Sequence, residues 1–120
     1  MSERWQVDIR VPASHPALEG HFPGNPLVPG VVLLELLLEA AAARLARPVH
    51  LRALPQAKFM SALRSEESAH GTLEVEHAST VDRAGGLARG AVAAGLTRVR
   101  FRLEANGRPV TSGTFVLGLA

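Results

Sequence analysis

The chain has 120 residues, 47% hydrophobic and 4% aromatic, with a formal net charge of +2, no tyrosine and no cysteine. The missing thiols exclude disulfides, thiolate metal sites and a cysteine nucleophile, and the modest charge, sparse aromatics and lack of a basic run argue against nucleic-acid binding. The length fits one domain over residues 1–120, short enough that an enclosed active site borrows walls from a second copy, so a homodimer or a higher oligomer of dimers is expected.

The amino terminus, MSERWQVDIR, carries charges where a secretory signal needs an apolar core, and Glu35 and Glu39 break the longest apolar run. Neither a signal nor a membrane span is expected, and the cytoplasm is the expected compartment. Residues 5–11, WQVDIRV, alternate Trp5, Val7, Ile9 and Val11 against Gln6, Asp8 and Arg10, the period-two pattern of a strand with one buried face. Pro12 to Leu18 reads as a turn or irregular loop.

Gly20 to Ala43, GHFPGNPLVPGVVLLELLLEAAAA, then runs from a proline- and glycine-rich loop into the most apolar helix candidate of the chain. Pro23, Pro26 and Pro29 restrict the backbone around and after His21. Pro29 and Gly30 open the helix, since proline is tolerated in a first turn and glycine lets a ligand approach the backbone. Free amides at such a helix start suit a carbonyl oxygen that gains negative charge during reaction. The helix is expected to run to about Ala46, ahead of Pro48.

Glu35 stands among Val31, Val32, Leu33, Leu34, Leu36, Leu37 and Leu38. A helix apolar all round is normally buried, and an acid within it is costly unless it is paired, hydrogen-bonded or open to a cavity. Glu39 shares its face at i+4 spacing but lies near Arg44 and Arg47, as a solvated helix end does.

Val49 to Leu63 is extended and interrupted by Pro55, which predicts an edge position, a bulge or two shorter strands. Residues 71–83 begin with Leu73 and Val75 on one face and Glu74 and Glu76 on the other, and a turn through Gly85, Gly86 and Gly90 follows. Residues 91–104 end with Val99, Phe101 and Leu103 against Arg98, Arg100 and Arg102, before a hairpin turn at Asn106–Gly107 and a last strand from Pro109 to Leu119. One long helix and several antiparallel strands joined by hairpin-short connections make an α+β architecture, the sheet curling round the helix.

GHFPGNPLVPGVVLLE closely resembles the active-site segment of hotdog-fold 3-hydroxyacyl-[acyl-carrier-protein] dehydratases of the FabZ and FabA type. The resemblance covers the His-Phe-Pro-Gly run at His21 to Gly24, the Pro-x-x-Pro-Gly step at Pro26 to Gly30 and the helix acid. Ala57, Lys58 and Phe59 look like the family's second-strand element. It implies a hotdog fold with His21 and Glu35 as catalytic residues contributed to one site by opposite subunits. It also implies Gly30, with Phe22, Pro29 and Val31 beside it, at the substrate thioester, an acyl carrier protein as partner, and no cofactor or metal. Glu35 stands where the isomerising branch usually has Asp, which favours dehydration alone. The absent Pro-His-Arg-type amino-terminal segment and the Leu63-Arg64-Ser65-Glu66 stretch depart from housekeeping members and look like accessory, ApeI-like dehydratases of aryl-polyene or similar clusters.

Two other readings stand beside this one: a hotdog acyl thioesterase, which does not usually carry the histidine loop, and a non-catalytic acyl-binding subunit, which loss of His21 or Glu35 would favour. Arg98, Arg100 and Arg102 read first as a solvated sheet face, with docking of an acidic carrier protein as the functional alternative. His15, His50, His70 and His77 lack metal-site spacing and are assigned nothing.

Overall fold

The computed structural model describes residues 2–18, 27–46, 48–78, 80–81, 87–88 and 96–119. Strand β1 (Ser2–Ile9) leads through a 3-10 turn at Pro16–Leu18 to helix α1 (Gly30–Leu45), and β2 (Val49–Phe59) and β3 (Ala69–Ala78) follow. A two-residue pair, β4 (Thr80–Val81) with β5 (Leu87–Ala88), precedes β6 (Leu96–Ala105) and β7 (Arg108–Leu119). The glycine-rich turn predicted after β3 lies outside the described residues.

Five strands form one antiparallel sheet in the order β1-β3-β6-β7-β2. Its inner face is built from the alternation seen in the sequence: Leu73, Val75, Val99, Phe101 and Leu103 are buried, and Phe115 stacks on Phe101 at 4.6 Å. Helix α1 turns Val32, Leu33, Leu37 and Ala41 into this core, and it joins strands at opposite edges of the sheet. Asn106 (φ 50°) and Gly107 (φ 76°) close the β6–β7 hairpin with both residues left-handed, as a primed two-residue turn requires.

The expectation of hairpin-short connections needs one correction. β2 and β3 follow each other in sequence yet are separated in the sheet by β7 and β6, so residues 60–68 form a crossing segment. Strand β2 lies at the edge, and its pairing with β7 shifts register between Leu51 and Ala53 and again between Ala53 and Gln56. Pro55 sits at that irregularity, where a missing N–H is tolerated. Just beyond it, opposite Ala57, a Cβ on Gly113 would stand 2.3 Å from the Gln56 carbonyl oxygen and 2.6 Å from the Phe101 ring, so only glycine lets β2 lie this close.

The crossing segment is clamped to the β6–β7 hairpin. The Arg108 guanidinium donates to both Glu67 carboxylate oxygens at 2.6 and 2.7 Å and to the Ala62 carbonyl at 2.7 Å. Asn106 Nδ2 and the Arg64 amide also donate to Glu67, at 2.5 and 3.0 Å. The Arg108 hydrogen bonds, then the Arg64 amide, hold the Glu67 carboxyl at about 2, below its ordinary 4.5. A carboxylate depressed on folding stabilises the fold above its unfolded value and stops doing so as pH falls through its folded one. The melting temperature is therefore expected to fall more steeply between pH 4.5 and about 2 in the native chain than in Glu67→Gln, as calorimetry at stepped pH would show; parallel curves would refute a role for the clamp.

Candidate active site

The start of α1 is open to a ligand by construction. Pro29, at φ −59° and ψ 143°, precedes the first helical residue without a side-chain cap. The Val32 amide bonds back to the Pro29 carbonyl at 3.0 Å, while the amides of Gly30 and Val31 find no acceptor among the described residues. These two N–H groups carry the positive end of the helix dipole.

They open onto an apolar groove of about 690 Å³, walled by Val28, Val31 and Leu34 on the helix side and by residues 59–63 on the other. The second wall is held at a distance in sequence: Val28 N–H donates to the Leu63 carbonyl and Met60 N–H to the Val110 carbonyl, both at 2.8 Å. Ser61 Oγ donates to the Pro109 carbonyl at 2.5 Å, and Ala62 is tied to Arg108. Sequence reasoning missed Met60 to Leu63 as a wall, because those bonds reach β7 and the segment before the helix. Phe59 alone carried a signal, through Ala57-Lys58-Phe59.

Phe59 packs directly on the helix start, so that a Cβ on Gly30 would stand 2.7 Å from its Cε1 and 2.9 Å from its Cζ. The ring is half exposed and can swing away, so Gly30→Ala is expected to displace a groove wall rather than unfold the chain. Melting should change little. Catalytic turnover, kcat/KM, should fall by roughly tenfold or more, since small misplacements in a site cost that much; unchanged turnover would show that the helix start does not meet the substrate.

Glu35 follows Val31 by one helical turn. It is exposed rather than buried by its own chain, which corrects the expectation drawn from its apolar neighbours. The sheet covers only the Val32-Leu33-Leu37-Ala41 face of α1, and Val31, Glu35 and Glu39 form the opposite stripe. His21 and Phe22 lie outside the described residues. Arg98, Arg100 and Arg102 are on the outer face of the sheet, and none of them lines the groove. His70 Nδ1 lies 2.6 Å from Asp8 Oδ1, an exposed pair. Among the described residues, no three His, Asp or Glu side chains gather as metal ligands, and no helix is long and apolar enough to cross a membrane.

A family model described as ApeI-like, ApeI dehydratase, matches residues 1–85. The chain belongs to the ApeI-like dehydratase family. Over 41 residues it is 51% identical to the 3-hydroxyacyl-[acyl-carrier-protein] dehydratase FabZ of Chloroflexus aggregans, covering 33% of this chain and 28% of that protein. Over 65 residues it is 35% identical to FabZ of Lactobacillus helveticus, covering 47% and 44%. The match thus spans less than half the length of these curated relatives.

Among solved structures, the dehydratase heterocomplex ApeI:P from Xenorhabdus doucetiae aligns with TM-score 0.65 and 19% identity over 98% of this chain and 94% of that one. The (R)-hydratase from A. caviae involved in PHA biosynthesis aligns with TM-score 0.68 and 13% identity, over 99% and 96%. The fluoroacetyl-CoA thioesterase FlK aligns with TM-score 0.70 and 16% identity, over 99% and 86%. At these identities the likeness is one of fold, and the fold is the α+β hotdog.

Proposed function

We propose that the protein dehydrates a (3R)-3-hydroxyacyl group carried on acyl carrier protein to the trans-2-enoyl thioester. The observation that carries this reading is an uncapped helix start opening on an apolar groove, with a carboxylate one turn further along the same stripe of the helix. Family membership and the His21-Phe22-Pro23-Gly24 run supply the rest.

In this reading the acyl chain lies in the groove and the thioester oxygen accepts from the Gly30 and Val31 amides, which stabilise it as charge builds there. Neutral His21 takes the proton next to the carbonyl. As the C–O bond at the third carbon breaks, Glu35 gives its proton to the departing hydroxyl, which leaves as water, and the electron pair of the broken C–H bond becomes the new double bond. Proton exchange with solvent then returns His21 and Glu35 to their starting states.

The site is completed by a second copy. Val31 is 66% exposed, Phe59 52%, Leu51 47% and Met60 45%, a set of large apolar side chains on the helix stripe and along an edge strand that a monomer rarely leaves uncovered. Covering this surface encloses Glu35 as well, which strengthens its interaction with a substrate hydroxyl.

The test is ultraviolet absorbance of the enoyl thioester on incubation with 3-hydroxyacyl carrier protein, with free thiol followed in parallel. Enoyl formation is the expected result. Thiol release without enoyl product would replace this reading with the thioesterase, for which the fold-level likeness to FlK is the supporting observation; neither product at any acyl length would leave an acyl-binding subunit.

A further inference from the structure

The outer face of the sheet carries cations that its own carboxylates do not neutralise. Register places Arg4, Glu74, Arg100, Thr114 and Gln56 in one row across β1, β3, β6, β7 and β2, and Thr72, Arg102, Ser112 and Lys58 in the next. Residues directly opposite in an antiparallel sheet project from the same face, so Lys58 joins the arginines. Arg98 begins the same stripe on β6.

The three arginines are equivalent by spacing and different by environment. Arg98 is paired with Glu76, and its side chain is 17% exposed. Glu74, the cross-strand neighbour of Arg100, is bonded to Arg4 at 2.9 Å. Arg102 faces Thr72 on one side and Ser112 on the other, neither of them charged. Arg100, Arg102 and Lys58 are exposed and have no carboxylate partner among the described residues. With Arg4 and Arg98 they set five cations against the carboxylates of Glu74 and Glu76, and the row beyond Arg102 ends the stretch with Asp8, which is paired with His70, and Glu104, both lining a shallow hollow with Arg102. Four of the five arginine and lysine side chains line a hollow of about 540 Å³ on this face, Lys58 standing just outside it.

We propose that this face is the docking surface for an acidic protein, with Arg100 and Arg102 as its principal contacts, and, resting on the dehydratase reading, that the protein is the carrier bearing the substrate. Successive outward residues of a strand stand about 7 Å apart, close to the spacing of carboxylates one turn apart on a helix, so an acidic helix matches the row. Guanidinium groups bind carboxylates in a planar fork, which suits such a contact better than general attraction does. The face also borders the groove: Lys58 projects outward and its neighbour Phe59 lies over the helix start. An acyl group tethered to a protein docked here has only to pass the end of β2.

The test compares the native chain with Arg100→Glu/Arg102→Glu, and with Lys58→Glu as a second variant, after circular dichroism shows them folded. Two substrates are used: 3-hydroxyacyl carrier protein, and the same acyl group on a short pantetheine-like thioester. The proposal expects kcat/KM for the carrier-borne substrate to fall by at least tenfold in the double variant, with the short thioester turned over as before, and expects the native value alone to weaken with added salt. Equal loss on both substrates, or no loss on either, would overturn it. Binding of holo-carrier protein by calorimetry separates this from the activity: if no enoyl product forms with any substrate, the dehydratase reading falls, while a Kd weakened tenfold by the double variant still supports docking. Carrier binding unaffected by the charge reversal, with retention on phosphatidylglycerol vesicles lost instead, would assign the face to an anionic membrane and refute the proposal.

Discussion

Replacing Glu35 by Gln is expected to lower kcat for enoyl formation by roughly 10²–10⁴-fold, the range over which a positioned acid or base contributes, and His21→Ala by a similar factor. The amide has almost the shape of the carboxylic acid and cannot give a proton to the leaving hydroxyl. Glu35 makes no hydrogen bond or ion pair with the described residues, so circular dichroism and light scattering should show Glu35→Gln folded and assembled like the native chain, and the loss would be chemical. KM should change little if the group acts mainly in the transition state. Ultraviolet absorbance of the enoyl thioester under saturating substrate measures the effect directly; a Glu35→Gln variant with native kcat would remove the helix acid from the mechanism.

The sequence made some of this legible because certain features are local. Pro29-Gly30 marks where the helix begins, Asn106-Gly107 fixes a left-handed hairpin turn, and strict alternation from Val99 to Leu103 separates the two faces of β6. Pro55 left an edge position, a bulge or two shorter strands open, and β2 combines the first two, because proline in a sheet is confined to edges and irregularities.

The rest depends on what the chain meets at long range. Residues 60–68 have the length of an ordinary loop, and only the pairing of β2 with β7 and of β3 with β6 makes them a crossing that walls the groove. Arg98, Arg100 and Arg102 are alike in sequence, and it is the cross-strand carboxylates that occupy the first and leave the others free. The hydrophobic run around Glu35 pointed to a helix buried on every side. Its amino acids could not say that one side is covered by the chain's own sheet and the other is left exposed.

That exposed side leads to the second large effect. If His21 and Glu35 of one site come from opposite subunits, His21→Ala and Glu35→Ala are each inactive alone but complement one another. Mixing the two variants under conditions that exchange subunits is expected to restore about a quarter of native activity, because in a two-fold dimer half the molecules become mixed and each of those has one site with both residues intact and one with neither. Sites made within one chain give a different outcome, no recovery at any mixing ratio, which would refute the shared arrangement. Leu51→Glu provides the companion measurement. Leu51 is 47% exposed on the edge strand, opposite buried Leu117, so a charge there faces water in the single chain but is buried without a partner when a second copy covers it. Light scattering should show a monomer, and enoyl formation should be lost with Glu35 and His21 both present. An active Leu51→Glu monomer would mean that one chain builds a whole site.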